Sequence, residues 1–153
     1  MFSFLFKKKP LLPTSVCDAV AAAVATAERT TRGEIRVYVE SRCPMVHPID
    51  RCTELFVELG MHQTKEANAV LIYIALHDRQ FGIVGDRGIN NWVGGNAYWE
   101  SLAADLKASL RSGDIEGGIC NCVRSVGQSL AQYFPYSEGD NPNELPDEIV
   151  FGK

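Results

Sequence analysis

Nothing in this chain is long and apolar enough to cross a membrane. Its longest unbroken hydrophobic run, Ala69–Leu76, falls far short of the ~18–20 residues such a helix needs. A secretory signal is missing too: in Met1–Phe6 the bases follow the apolar run, which is shorter than the ~7–15 residues of an h-region. The expectation is a soluble, cytoplasmic chain. Basic charge is also scarce. Lys and Arg number 15 against 19 Asp and Glu, for a net charge of −4. No Lys/Arg stripe offsets this balance, which excludes a general nucleic-acid binder. Lys7-Lys8-Lys9 is a local exception. After Phe2–Phe6 it makes a tip that touches an anionic membrane surface, packs on the domain or frays, the last two being the more usual behaviour of a terminus.

Cysteine is present only as an odd set: Cys17, Cys43, Cys52, Cys120 and Cys122. Without an export signal, reduced thiols are the expectation. Cys120 and Cys122, two apart on a predicted helix, point to different faces and cannot easily chelate one ion. His47, His62 and His77 show no ligand spacing with any cysteine, which argues against zinc. The common catalytic signatures are absent as well. There is no G-x-S-x-G, H-E-x-x-H or P-loop, no Asp-x-Asp, and no cysteine with arginine six positions on. Gly85-Asp86-Arg87-Gly88 lacks the glycine spacing of a dinucleotide fingerprint.

What is present describes one globular domain. The chain has 153 residues, 46% hydrophobic and 22% charged, enough to bury one core and too few for two ordinary domains. The expected division is an N-terminal tip over 1–13, a domain over 14–135 and an extended acidic arm over 136–153. A helix should start at Thr14 or Ser15, with Asp18 completing a capping box on Ser15. Val16, Val20, Ala23, Val24 and Ala27 then keep helical period. Glu34–Glu40 alternates, with Ile35, Val37 and Val39 on one face, as a strand with one side on the core. Pro48 opens a second helix with Ile49, Cys52, Leu55, Phe56 and Leu59 inward, and Gly60 stops it.

Ala69–Leu76 reads as a strand buried on both faces. Gln80–Val84 returns beside it after the turn His77-Asp78-Arg79. Trp99, Leu102, Ala103, Leu106 and Leu110 mark a third helix. Asp114 caps a fourth, whose inner face runs from Ile115 to Phe134. The order is α-β-α-β-β-α-α, an α/β chain with helices on both faces of a small mixed sheet. Strand, helix, strand implies parallel pairing of the first two strands.

That topology divides the candidate site residues between two ends of the sheet. Glu34 opens the first strand at the end where Asp86 closes the third, and Asn90 and Asn91 follow. Hard oxygen donors on a glycine-bearing loop suit calcium or magnesium; the same residues also read as an ordinary solvated turn. Asp78 and Arg79, with Ser41 and Arg42, lie at the opposite end, roughly 17–20 Å away at ~3.4 Å per residue. Those are the carboxyl ends of the parallel strands, where ligands often bind, although a charged hairpin turn explains them equally. Trp92, Tyr98 and Trp99 can wall the Asp86 loop. For Trp99 core packing is the expectation; Trp92 is more open.

Thr31-Arg32-Gly33-Glu34-Ile35-Arg36-Val37, Val70–Ala75 with Asp78-Arg79, Gly85-Asp86-Arg87-Gly88-Ile89, Gly113–Ile119 and Val126–Ala131 occur in the order found in TPM domains. Over roughly Ser15–Phe134 the chain resembles that family, which includes thylakoid-lumen, photosystem-repair and acetylcholine-receptor-modulating proteins. The resemblance implies an αβα sandwich around a small mixed sheet. It also implies an acidic site for a divalent cation and, in some members, acid-phosphatase activity. Glu34 matches the family's first-strand acid, and Asp86 falls in its glycine segment. That segment has an extra residue between the glycines here, and Asn90 stands where relatives often carry an acid. Three functions follow as expectations. The first is a monomeric binding or regulatory module holding a cation or protein partner at the Asp86 loop. The second is a metal-dependent phosphatase, with Asp86 orienting water and Arg87 contacting the anion. The third, from family analogy and Phe2–Lys9, is an adaptor for membrane-protein complexes.

Overall fold

A computed structural model describes residues 10–138 and 145–152. The Phe2–Lys9 tip therefore lies outside the described residues, as does the middle of the acidic arm. The elements are α1 (Thr14–Glu28), β1 (Glu34–Glu40), α2 (Pro48–Glu58), a 3-10 turn (Met61–Gln63), β2 (Ala69–Ala75), β3 (Gln80–Gly85), α3 (Arg87–Val93), α4 (Asn96–Arg111), α5 (Ile115–Tyr133) and β4 (Val150–Phe151). They form an α/β sandwich in which the helices cover both faces of one mixed sheet of order β3-β2-β1-β4. β1 and β2 pair in parallel from Glu34↔Ala69 to Glu40↔Ala75, and β3 returns antiparallel to β2. No helix among the described residues is long and apolar enough to cross a membrane.

Central placement explains the apolar run in β2. Every one of its residues is buried, because strands flank it on both sides and helices lie above and below. Val70, Ile72 and Ile74 join Ile35, Val37 and Val39 in the larger core under α1, α4 and α5. Ala69, Leu71 and Tyr73 face Cys52, Leu55, Phe56 and Met61 in the smaller core under α2. The five cysteines are all free, and Cys52, Cys120 and Cys122 are buried. In the apolar interior burial pushes the Cys122 thiol up to about 12, which makes it inert at neutral pH.

Several sequence expectations need correction. α1 has no capping box: Pro13 stands at its N-cap and no side chain caps it. Instead the Pro13 carbonyl accepts from the amides of Val16 and Cys17. β1 does not have one wet face, since Glu34, Tyr38 and Glu40 are buried and only Arg36 is half-exposed. A short helix, α3, occupies what the glycines marked as a loop. The arm is more than a surface strap. Val150 and Phe151 pair in parallel with Tyr38 and Val39, and the Gly152 amide donates to the Val39 carbonyl.

The arm buries apolar groups on both sides of the sheet: Ile149 and Phe151 pack on the larger core, Leu145 and Val150 on the smaller. A chain ending at Tyr136 should therefore lose about 2 kcal/mol or more of stability, from several half-buried apolar side chains. Urea unfolding of the truncated and full-length chains reads this directly, and equal midpoints would show the arm to be merely draped.

Candidate site at the amino end of the sheet

Glu34, Ala69 and Asp86 lie in one row across β1, β2 and the exit of β3, because Glu34 pairs with Ala69 and the Asp86 amide donates to the Ala69 carbonyl. The parallel pairing thus brings Glu34 and Asp86 to the same end of the sheet. Two strand spacings, about 10 Å, separate their backbones. Their side chains have different company. Glu34 is buried beside Glu28 and Asp147, where Gly33 and Thr31 complete a small cavity of about 220 Å³. Asp86 is half-exposed and stands as N-cap of α3, its Oδ1 accepting from the Arg87 amide at 2.8 Å.

The remaining predicted donors also diverge. Asn90 is a clasp: its Nδ2 donates to the Gly85 carbonyl at 2.8 Å, and its Oδ1 accepts from the Trp99 indole at 2.6 Å. Asn91 and Arg87 are exposed on α3. The two glycines are explained by close packing. A Cβ on Gly85 would come within 2.7 Å of the Trp99 ring, and one on Gly88 would overlap the carbonyl oxygens of Glu66 and Ala67. Neither has positive φ, so turn conformation does not require them. Trp99 is a core residue at 1% exposure, whereas Trp92 is 61% exposed and stacks on Tyr133 with centroids 5.1 Å apart and planes at 14°.

Asp78 and Arg79 lie at the far end, as the topology requires. Asp78 Oδ2 accepts from the Cys43 amide at 2.8 Å, and its Oδ1 faces Arg42 and His77, each at 3.5 Å. Arg79 takes a positive φ of 54° in the turn. Sequence reasoning missed the polar network beside them. Arg51 binds Glu40 through Nε and Nη2 at 2.9 and 3.0 Å, and the Tyr73 hydroxyl donates to the same carboxylate. Glu40 looked solvent-facing by alternation. The signal available was Tyr73, a hydroxyl in an otherwise apolar strand that must find a buried partner.

The Glu28–Glu34–Asp147 group was also missed. Burial, then hydrogen bonding to Asp147 and the nearness of Glu34, pushes the Glu28 carboxyl up to about 10, against the lowering effect of the Ile35 amide. That amide donates to Glu28 Oε2 at 2.9 Å. The raised value keeps Glu28 neutral beside the other two carboxyl groups at neutral pH. Among the described residues no group of three or more His, Cys, Asp or Glu is arranged to hold a metal ion.

Two outcomes follow. Trp99→Phe leaves Asn90 Oδ1 without its donor and should cost about 1–3 kcal/mol, read as a lower urea midpoint. For Glu28 the native value lies above its ordinary 4.5, so the native state holds a proton the unfolded chain releases. Its contribution is complete below the unfolded value and is lost as pH rises from about 4.5 toward 10. Unfolding measured at pH 5 and pH 8 should show a shallower loss in Glu28→Gln than in the unmodified chain. Parallel pH profiles would contradict a protonated Glu28.

Comparison with known proteins bears on this geometry. A family model for the TPM domain matches residues 7–129. The NMR structure of the BA42 protein from the psychrophilic bacterium Bizionia argentinensis is 34% identical, with a TM-score of 0.82 over 96% of this chain and 99% of that one. The N-terminal domain of the cg2496 protein from Corynebacterium glutamicum (21% identity, TM-score 0.61, 78% and 74% covered) and that of a P. gingivalis protein (18%, 0.65, 84% and 83%) share the fold. Among curated proteins none matches. With a family model over most of its length and a 34%-identical relative aligned nearly end to end, the chain belongs to the TPM domain family.

Proposed function

We propose that this TPM domain is a binding module that recognises a protein partner through the exposed side of α3, where Arg87, Asn91 and Trp92 stand beside Asp86. The observation that carries the reading is the Trp92–Tyr133 stack. It holds a large, 61% exposed indole flat and already ordered, so little side-chain entropy remains to be lost on contact. Aromatic anchors of this kind, flanked by an arginine, are favoured at the centres of protein interfaces.

A calcium or magnesium role fits the donors less well. Asn90 Oδ1 is spent on Trp99, Asp86 Oδ1 on the Arg87 amide, and Glu34 keeps company with Glu28. Asp86 and Asn91 alone leave most positions of a six- to eight-coordinate ion to water. The phosphatase reading needs a second carboxylate at Asp86 for the same reason, so the binding reading is the stronger. The adaptor reading rests on residues outside those described.

Calcium and magnesium titrations followed by amide shifts discriminate these readings, with p-nitrophenyl phosphate turnover as a second readout. The binding reading expects at most weak, unsaturated shifts at 85–91, none at Glu34, and no turnover. Saturable shifts spanning Glu34 and Asp86, together with metal-dependent turnover lost in Asp86→Ala, would replace it with the phosphatase. Trp92→Ala should leave stability within about 0.5 kcal/mol, as for an exposed side chain outside the core.

A further inference from the structure

α1 and α5 run side by side in the same direction. Ala19 of α1 and Gly117 and Cys120 of α5 line one end of their seam. Further along, a Cβ on Gly127 would come within 2.8 Å of Ala27 Cβ, and Thr31 bridges to Pro135 where both helices end. The solvent side of the seam is a groove of about 690 Å³. Its lining is mostly small, with Ala19, Ala22, Ala23, Ala27, Gly127 and Ala131 in it, so the helices touch without filling the space above their contact. An open apolar groove of this size marks an interaction site.

The residues ahead of α1 match this groove in reach, chemistry and charge. Pro10, the first described residue, leads through the buried Leu12 to Thr14. Before it stand Phe2-Ser3-Phe4-Leu5-Phe6 and Lys7-Lys8-Lys9. The groove extends from Ala19 to Thr30, ~8 to ~24 Å along α1 from Thr14 at 1.5 Å per residue. An extended chain leaving Pro10 brings Phe6 to ~14 Å and Phe2 to ~27 Å at ~3.4 Å per residue, which is much the same stretch. Asp18, Asp114 and Glu116 stand exposed around the near end, and none is in an ion pair among the described residues. Three carboxylates thus lie within reach of three lysines. The middle of the acidic arm, 139–144, has no large apolar side chain to offer the groove.

We propose that the α1–α5 groove is the docking site of the chain's own amino-terminal segment, with Phe2, Phe4 and Phe6 over the alanine lining and Lys7–Lys9 against Asp18, Asp114 and Glu116. Alternate residues of an extended segment share one side, so the three rings enter together and Ser3 turns away. Arg124 on the groove wall offers a cation to a ring face. Docking removes from water three aromatic side chains that a free terminus exposes. The segment then acts as an intramolecular cover, and the groove it fills is closed to other partners. The site is independent of the α3 surface.

The test compares the full chain with Phe2→Ser/Phe4→Ser/Phe6→Ser by NMR. Nuclear Overhauser contacts from the Phe rings to the methyls of Ala22, Ala23 and Thr26 are expected, and amide shifts at those residues, Cys120 and Gln128 when the rings are removed. Lys7→Glu/Lys8→Glu/Lys9→Glu should weaken docking at least about fivefold at low salt. Ala22→Arg/Thr26→Arg, at exposed positions, should abolish the ring contacts and leave amide shifts elsewhere in the domain in place. An absence of ring-to-groove contacts, with groove amides unmoved in the serine variant, would overturn the proposal. Contacts seen only between differently labelled molecules in a mixed sample would also overturn it and assign the groove to the tip of a second copy. Absent groove contacts with Phe signals that broaden on phosphatidylserine vesicles would assign the tip to a lipid surface instead.

Discussion

Seven residues of β1 paired in parallel with seven of β2 fix the position of nearly everything else. A parallel pair cannot be joined by a tight turn, so α2 and the connector after it must cross one face of the sheet. Once that register is set, the acids that open β1 and follow β3 fall at one end, and the β2–β3 turn falls at the other. The fully buried β2 is the physical anchor of the arrangement, because a one-residue slip would turn Val70, Ile72 and Ile74 toward the wrong helical layer.

Sharing an end of the sheet is not the same as sharing a site. Glu34 and Asp86 stand in one cross-strand row, yet their side chains answer to different neighbours. Glu34 is drawn into the seam where α1 meets the returning arm, and Asp86 is occupied with the start of α3. The protonated Glu28 lets carboxyl groups from α1, β1 and the arm meet without the repulsion that several buried negative charges would bring. A region that looks acidic in the sequence thus brings α1, β1 and the arm together around one small cavity.

Elements with a clear period were legible from the residues. The uninterrupted apolar run of β2, the stripe of α2 ending at Gly60, and Asp114, whose Oδ1 accepts from the Gly117 amide, are each fixed by local chemistry. Features that depend on distant partners were not. Alternation in β1 separated its faces correctly but could not say that Arg51, eleven residues on, would bury Glu40. Gly85 and Gly88 carry the composition of a ligand loop, whereas in the fold they are vacated for Trp99 and for the backbone at Glu66 and Ala67. Two residues of arm pairing, Val150 and Phe151, are too short to leave a period.

The Asn90 clasp has a mechanical consequence. Because one amide grips the strand end through Gly85 and the α4 indole through Trp99, the short helix cannot swing as a flap. A load placed on its outer rim passes into the rigid interior through this clasp, the buried Ile89 and the Trp92–Tyr133 stack together, so α3 acts as a bracket bolted at several points.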